Sequence, residues 1–197
     1  MYFYHFTRKA NIQSISQNGI NPGITPFSAM SGNQAVSLTK TPCHERLGLI
    51  KGDILKEGID PEFKLMAQSY PELVKVVSGK NELHLFDQTE AMIKINLSNS
   101  SSKLVTYDKL FEKDIVKGLY PNLSKDNYQT LKAVGIHSAD YRFGTRHLSD
   151  NQIDQETQEI ASGRKSHTAQ NWFFYYGVVP VKSIVSVLYK QADGSYA

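Results

Sequence analysis

The sequence predicts an α+β domain: a mainly antiparallel sheet with short flanking helices. Three observations lead there. Residues Ala91 to Leu97 set Ala91, Ile93, Ile95 and Leu97 against Met92, Lys94 and Asn96, the period-two pattern of a half-buried strand. Helical patterns elsewhere are short and are stopped by Gly or Pro. Strand and helix signals are interspersed without a regular βαβ repeat, which argues against a parallel sheet. The 11 Tyr and 9 Phe suit the same class, because aromatic rings favour pleated, half-buried surfaces.

Tyr2 to Thr7 reads as the first strand, with Phe3, His5 and Thr7 on one face and Tyr2, Tyr4 and Phe6 on the other. Thr7 is placed to N-cap a short helix. Ile12 and Ile15 give that helix an apolar stripe, and Gly19 ends it, with Ile20 packing back onto its last turn. Asn21 to Asn33, with Pro22, Gly23, Pro26 and Gly32, is a loop. Ala35 to Thr39 is a second strand, stopped by Pro42. The middle, Glu45 to Leu85, is an irregular insert with weak helical periodicity over Leu65 to Val77, interrupted by Pro71. Ala91 to Leu97 is the next strand, Asn99-Ser100-Ser101-Ser102 a turn, and Leu104 to Tyr107 a paired strand. Tyr107 to Val134 reads as mostly helical, broken by Gly118 and Pro121. A polar stretch follows from Ser138 to Gln170; loops of that length are often functional. Trp172 to Tyr176 and Ser183 to Tyr189 close the chain as strands, the latter alternating Ile184, Ser186 and Leu188 against Val185, Val187 and Tyr189.

At 197 residues and 22.2 kDa, with no repeat, charge block or linker, the chain is expected to form a single domain over 1–197. That is long enough to bury a core without staples. Hydrophobic residues at 40% and charged residues at 21% exclude a disordered, collagen-like or coiled-coil chain. A net charge of +3 permits a nucleic-acid partner without requiring one. The single Cys43 excludes an internal disulfide and a multi-cysteine zinc site. The N-terminus lacks a signal-peptide pattern, and no apolar run approaches the ~20 residues of a membrane span. The expectation is a soluble protein of the cytoplasm, its own or that of a cell into which it is delivered, with no membrane contact and no metal. Phosphate-binding glycine loops, zinc-protease and nucleophile-elbow motifs are absent. Cys43-His44 adjacency does not make a catalytic pair, which needs spatial geometry; an inert thiol is the expectation. His137 and Asp140 lack further ligands.

Tyr4-His5-Phe6-Thr7, then Ile12, Ile15 and Gly19-Ile20, then Val36-Ser37-Leu38-Thr39 form an ordered constellation. It resembles the opening of the ADP-ribosyltransferase fold, closest to the group containing the DarT toxins and the tRNA 2′-phosphotransferases. The closing segment from Asn171 through Trp172, Phe174 and Tyr176 to Pro180, followed by Ile184-Val185, resembles that fold's late strand pair. The resemblance covers both ends of the chain and implies an ADP-ribosyltransferase-like split, antiparallel sheet with short helices.

It also implies NAD as cosubstrate. Carried over, His5 and Thr7 meet the adenosine ribose, whose diol suits groups that both donate and accept. Ser37, with Thr39, supports the nicotinamide side, and an aromatic ring stacks on the nicotinamide: Phe27, Tyr107 or Tyr120. Cleavage of the nicotinamide–ribose bond builds positive charge that a carboxylate stabilises while orienting the acceptor. The family carries a Glu just before the late strand, and here the chain departs: Gln170 and Asn171 precede Trp172. The catalytic candidates are therefore Glu159 and Glu156 from the polar loop, or Gln170 in the position itself. The same loop, with Tyr141-Arg142-Phe143 and Arg164-Lys165, would face the acceptor, although Asp150 and Asp154 oppose its charge. The implied activity is mono-ADP-ribosyl transfer of the toxin or effector kind to a macromolecule, RNA, DNA or protein, with an antitoxin or immunity protein as a further partner. The alternatives are an inactive nucleotide- or partner-binding module of the same fold and an RNA 2′-phosphotransferase.

Overall fold

The computed structural model describes residues 1–24, 34–45, 47, 49–61, 63–111 and 172–197. The polar stretch 138–170, with Glu156, Glu159 and Gln170, lies outside the described residues, as do Phe27 and Tyr120.

Ten strands are described: β1 (Tyr2–Thr7), β2 (Gly23–Ile24), β3 (Gln34–Thr39), β4 (Ile54–Lys56), β5 (Val74–Val77), β6 (Lys80–His84), β7 (Ala91–Asn96), β8 (Leu104–Thr106), β9 (Trp172–Tyr175) and β10 (Ile184–Tyr189). The helices are α1 (Ile12–Asn18), α2 (Phe63–Ser69) and α3 (Tyr107–Phe111). Every registered strand pair is antiparallel, and the helices are short, which is the α+β class. The main sheet runs β10-β7-β1-β3-β9-β8, with β2 paired to β3.

β1 is central because both its faces bury apolar groups. Phe3 is fully buried beside Val36, Leu38, Ile93, Ile95, Phe173 and Tyr175, and this face is covered by Ile12 and Ile15 of α1 and by Ile20 and Val179. Each such aliphatic contributes roughly 1.5–3 kcal/mol on burial. On the other face Phe6 and Met92 pack with Leu47, Leu49, Trp172, Leu188 and Tyr196.

The details differ from the sequence expectations at several points. Thr7 stays in β1, paired with Ala91, so Arg8 rather than Thr7 leads into a 3₁₀ turn at Lys9–Asn11 that precedes α1. The insert is ordered rather than irregular: β4, β6 and β5 form a second sheet, and Val74–Val77 is a strand, not the end of a helix. Ser78 and Gly79, at φ 52° and 76°, make the left-handed two-residue turn that joins β5 to β6 as a hairpin. Its core is Ile50, Phe63, Met66, Leu83 and Leu85. β8 pairs with β9, not with β7. β9 and β10 are not neighbours; β7, β1 and β3 separate them. A register shift between Ile184 and Ser186 breaks the alternation of β10, so Ile184 and Val187 both reach the α1-side core.

Gly19 locks α1 to the end of the sheet. Its φ of 80° and ψ of −175° belong to a region essentially restricted to glycine. Its N–H closes α1 on the Ile15 carbonyl at 2.9 Å, and Ile20 and Val179 exchange both backbone hydrogen bonds at 3.0 Å. A Cβ there would run into the Val179 carbonyl. Gly19→Ala is expected to cost about 1–3 kcal/mol from backbone strain alone, with the overlap adding to it; urea denaturation measures the loss.

Candidate functional site

The site is built where the main sheet fails to close. β1 registers with β7 over six consecutive pairs, Tyr2↔Asn96 to Thr7↔Ala91. β3 registers with β9 over four, Val36↔Tyr175 to Thr39↔Trp172. Between β1 and β3 the one registered pair is Tyr4↔Thr39. A regular antiparallel ladder would continue two residues on, with Phe6 opposite Ser37. It stops short, and the His5 side chain crosses to the neighbouring backbone: Nδ1 lies 2.9 Å from the Ser37 carbonyl oxygen. In a closed ladder that carbonyl would be occupied by backbone N–H.

This contact sets the chemistry of His5. A carbonyl only accepts, so Nδ1 carries the proton and donates it. Burial pushes the imidazole below its ordinary pKa, and the hydrogen bond to Ser37 opposes that only in part. The ring is therefore neutral at pH 7, and Nε2 is left with its lone pair. Among the described residues Nε2 has no hydrogen-bond partner, so it is an acceptor for a hydroxyl or N–H brought to the seam.

Thr7 shares the His5 face and is buried. Its Oγ1 accepts from Asn11 Nδ2 at 2.9 Å, which leaves its own hydroxyl proton to donate. Ser37 and Thr39 point the other way: the Tyr4↔Thr39 pair puts Thr39 on the Tyr4 and Phe6 face, and Ser37 follows by alternation. Thr39 is fully buried, and its Oγ1 accepts from the Thr41 backbone N–H at 3.2 Å. Ser37 is half-buried. The structure thus gathers His5, Thr7, Ser37 and Thr39 around one seam but on its two faces. Tyr107 is 2% exposed, with its ring tilted at 6.1 Å against Phe174, the β9 residue that pairs with Ser37; it is part of the core.

A second polar cluster, which the sequence did not signal, lies on the Phe6 face. Lys190 Nζ donates to Thr89 Oγ1 at 2.8 Å and pairs with Asp87 Oδ2 at 3.2 Å. Thr89 donates its N–H and hydroxyl to Asp87 Oδ1 at 2.6 Å. Despite its partial burial, these bonds hold the Asp87 carboxyl below its ordinary pKa. Tyr196 donates its hydroxyl to the Thr89 carbonyl at 2.7 Å and lies 3.3 Å from His44 Nδ1. Only the adjacency of Cys43 and His44 marked this corner in the sequence; its partners come from loops about 45 and 150 residues away.

Among the described residues no group of His, Cys, Asp or Glu could hold a metal ion, and no helix is long and apolar enough to cross a membrane. No family model matches the chain, and neither the curated proteins nor the solved structures contain a match.

The depressed His5 pKa carries a sign. The unfolded chain, with its imidazole near 6.5, binds the proton more readily than the folded one. Stability due to His5 is thus complete above pH 6.5 and is lost as pH falls through the folded value. Urea titrations at pH 7.5 and 5.0 should show a smaller acid loss for His5→Gln than for the wild type; equal losses would place the ring in open solvent.

Proposed function

We propose that the chain is an NAD-dependent mono-ADP-ribosyltransferase acting on a macromolecular acceptor, with the β1–β3 seam as its cosubstrate site. One observation carries the proposal: the ladder opens at the residues that the resemblance assigns to NAD. His5 offers a fixed acceptor nitrogen, and Thr7 a hydroxyl on the same face. A ribose diol supplies two hydroxyls that each donate and accept, which suits an acceptor nitrogen and a donor hydroxyl on one face. Ser37, across the seam, takes the nicotinamide half. The transfer step needs electrostatic support for the positive charge on the ribose, which this reading assigns to Glu159, Glu156 or Gln170.

The alternative is an inactive binding module that uses the same seam. Gln170 and Asn171 favour it, because a carboxylate is expected immediately before Trp172. A 2′-phosphotransferase would need several cations converging on an RNA phosphate. The seam residues His5, Thr7, Ser37 and Thr39 include none.

NAD is expected to raise the melting temperature of the wild-type protein, and much less that of His5→Ala. Nicotinamide release, followed by chromatography, should fall at least ~10²-fold in one of Glu159→Ala, Glu156→Ala or Gln170→Ala, the usual cost of removing such a group. Binding without turnover in the wild type would establish the inactive module; no binding would overturn both.

A further inference from the structure

The corner formed by His44, Tyr196 and Thr89 has the construction of a base. Tyr196 has one hydroxyl proton, and the Thr89 carbonyl, 2.7 Å away, takes it. The phenol oxygen can then only accept from His44, so Nδ1 of His44 carries the proton and Nε2 presents its lone pair. The ring is held edge-on between two aromatics, 5.7 Å from Tyr196 and 6.2 Å from Phe6. Tyr196 is itself anchored: its neighbour Ala197 exchanges backbone hydrogen bonds with Tyr189 at 2.8 and 3.1 Å. Tautomer and orientation are thus both set before any ligand arrives.

The charges around His44 favour the neutral ring. Burial, Lys190 and Lys51 lower its pKa, while Glu45 and Asp87 oppose them. The Asp87 carboxylate is committed to Thr89 and Lys190. Cys43 and the Tyr196 hydroxyl are the other titratable groups nearby, and the phenol is pushed up to about 12, so it stays protonated. His44 packs on Phe6, the residue that would face Ser37 across the seam, and it lies on the Ser37 face rather than the His5 face.

We propose that His44 is the proton acceptor of the transfer step, with Tyr196 as its positioning residue. The proposal rests on the ADP-ribosyl transfer reading, which brings the nicotinamide ribose to the Ser37 face. The acceptor's oxygen or nitrogen bonds to the ribose C1′. The C1′–N bond to nicotinamide breaks, and its electron pair leaves with neutral nicotinamide. The acceptor's proton passes to His44 Nε2 and then to solvent. With water as acceptor the products are ADP-ribose, nicotinamide and one proton, and the charges balance.

NAD alone, with water as acceptor, is the probe. His44→Gln is expected to lower nicotinamide release by ~10²-fold or more and to leave the NAD-induced rise in melting temperature unchanged. The wild-type rate should fall on acidification as the imidazole protonates, and the His44→Gln rate should not. Nitrogen-15 NMR of the histidines should show His44 as the Nδ1–H tautomer in the wild type and a mixture in Tyr196→Phe, which keeps the ring and loses the hydroxyl. Wild-type turnover that His44→Gln retains overturns the base alone, as does a dominant Nε2–H tautomer, which is readable without NAD. Absence of turnover in the wild type overturns base and enzymatic reading together.

Discussion

The structure turns on one hydrogen bond that takes the place of a strand ladder. β1 must pair with β7 along its whole length, because that pairing aligns Phe3 with Ile95 in the main core and sets His5 opposite Ile93. β3 must pair with β9, because Leu38 and Phe173 need the same alignment. The two halves then meet at a single registered pair, Tyr4↔Thr39. A buried carbonyl beyond that pair would cost about 1–3 kcal/mol if left without a donor. The His5 imidazole supplies the donor at Ser37. The neutral ring, the Nδ1–H tautomer and the lone pair on Nε2 follow from that bond and from burial.

Much of this was legible in the sequence where a local rule decides the outcome. Period-two alternation located β1, β3 and β7 because each has a dry face. Gly19 announced a helix end because few other residues tolerate its backbone. Pairing was less legible. Leu104–Thr106 follows β7 in sequence, yet β8 pairs with β9, since nothing in a three-residue strand encodes its partner. The late strands looked like a pair because they are consecutive; Gly177 and Pro180 permit the long crossing between them. The alternation of β10 misled for a different reason, since a bulge costs one residue of register and leaves no compositional mark. The insert was missed because its strands are short and share their core with α2.

The candidate site divides in the same way. His5, Thr7, Ser37 and Thr39 lie around one seam because β1 and β3 are adjacent strands. Their division between two faces was not foreseen. It depends on the Tyr4↔Thr39 register, and a shift of one residue would reverse it. The Asp87–Thr89–Lys190–Tyr196–His44 cluster could not be found in the sequence, since its members span more than 150 positions and no motif links them.

The division between faces constrains any ligand that uses all four residues. A molecule touching both His5 Nε2 and the Ser37 hydroxyl must lie in the seam rather than on the sheet, with one half toward the α1-side core and the other toward Phe6 and His44. A flat ligand resting on one face reaches only half of the set. An amide side chain could also donate to the Ser37 carbonyl and offer its oxygen as a neutral acceptor. An imidazole differs in its basicity: its second nitrogen can take up a proton near physiological pH, which an amide oxygen cannot. At neutral pH that nitrogen carries a lone pair and no charge. Such a group stabilises the fold through one atom and leaves the other without a partner among the described residues.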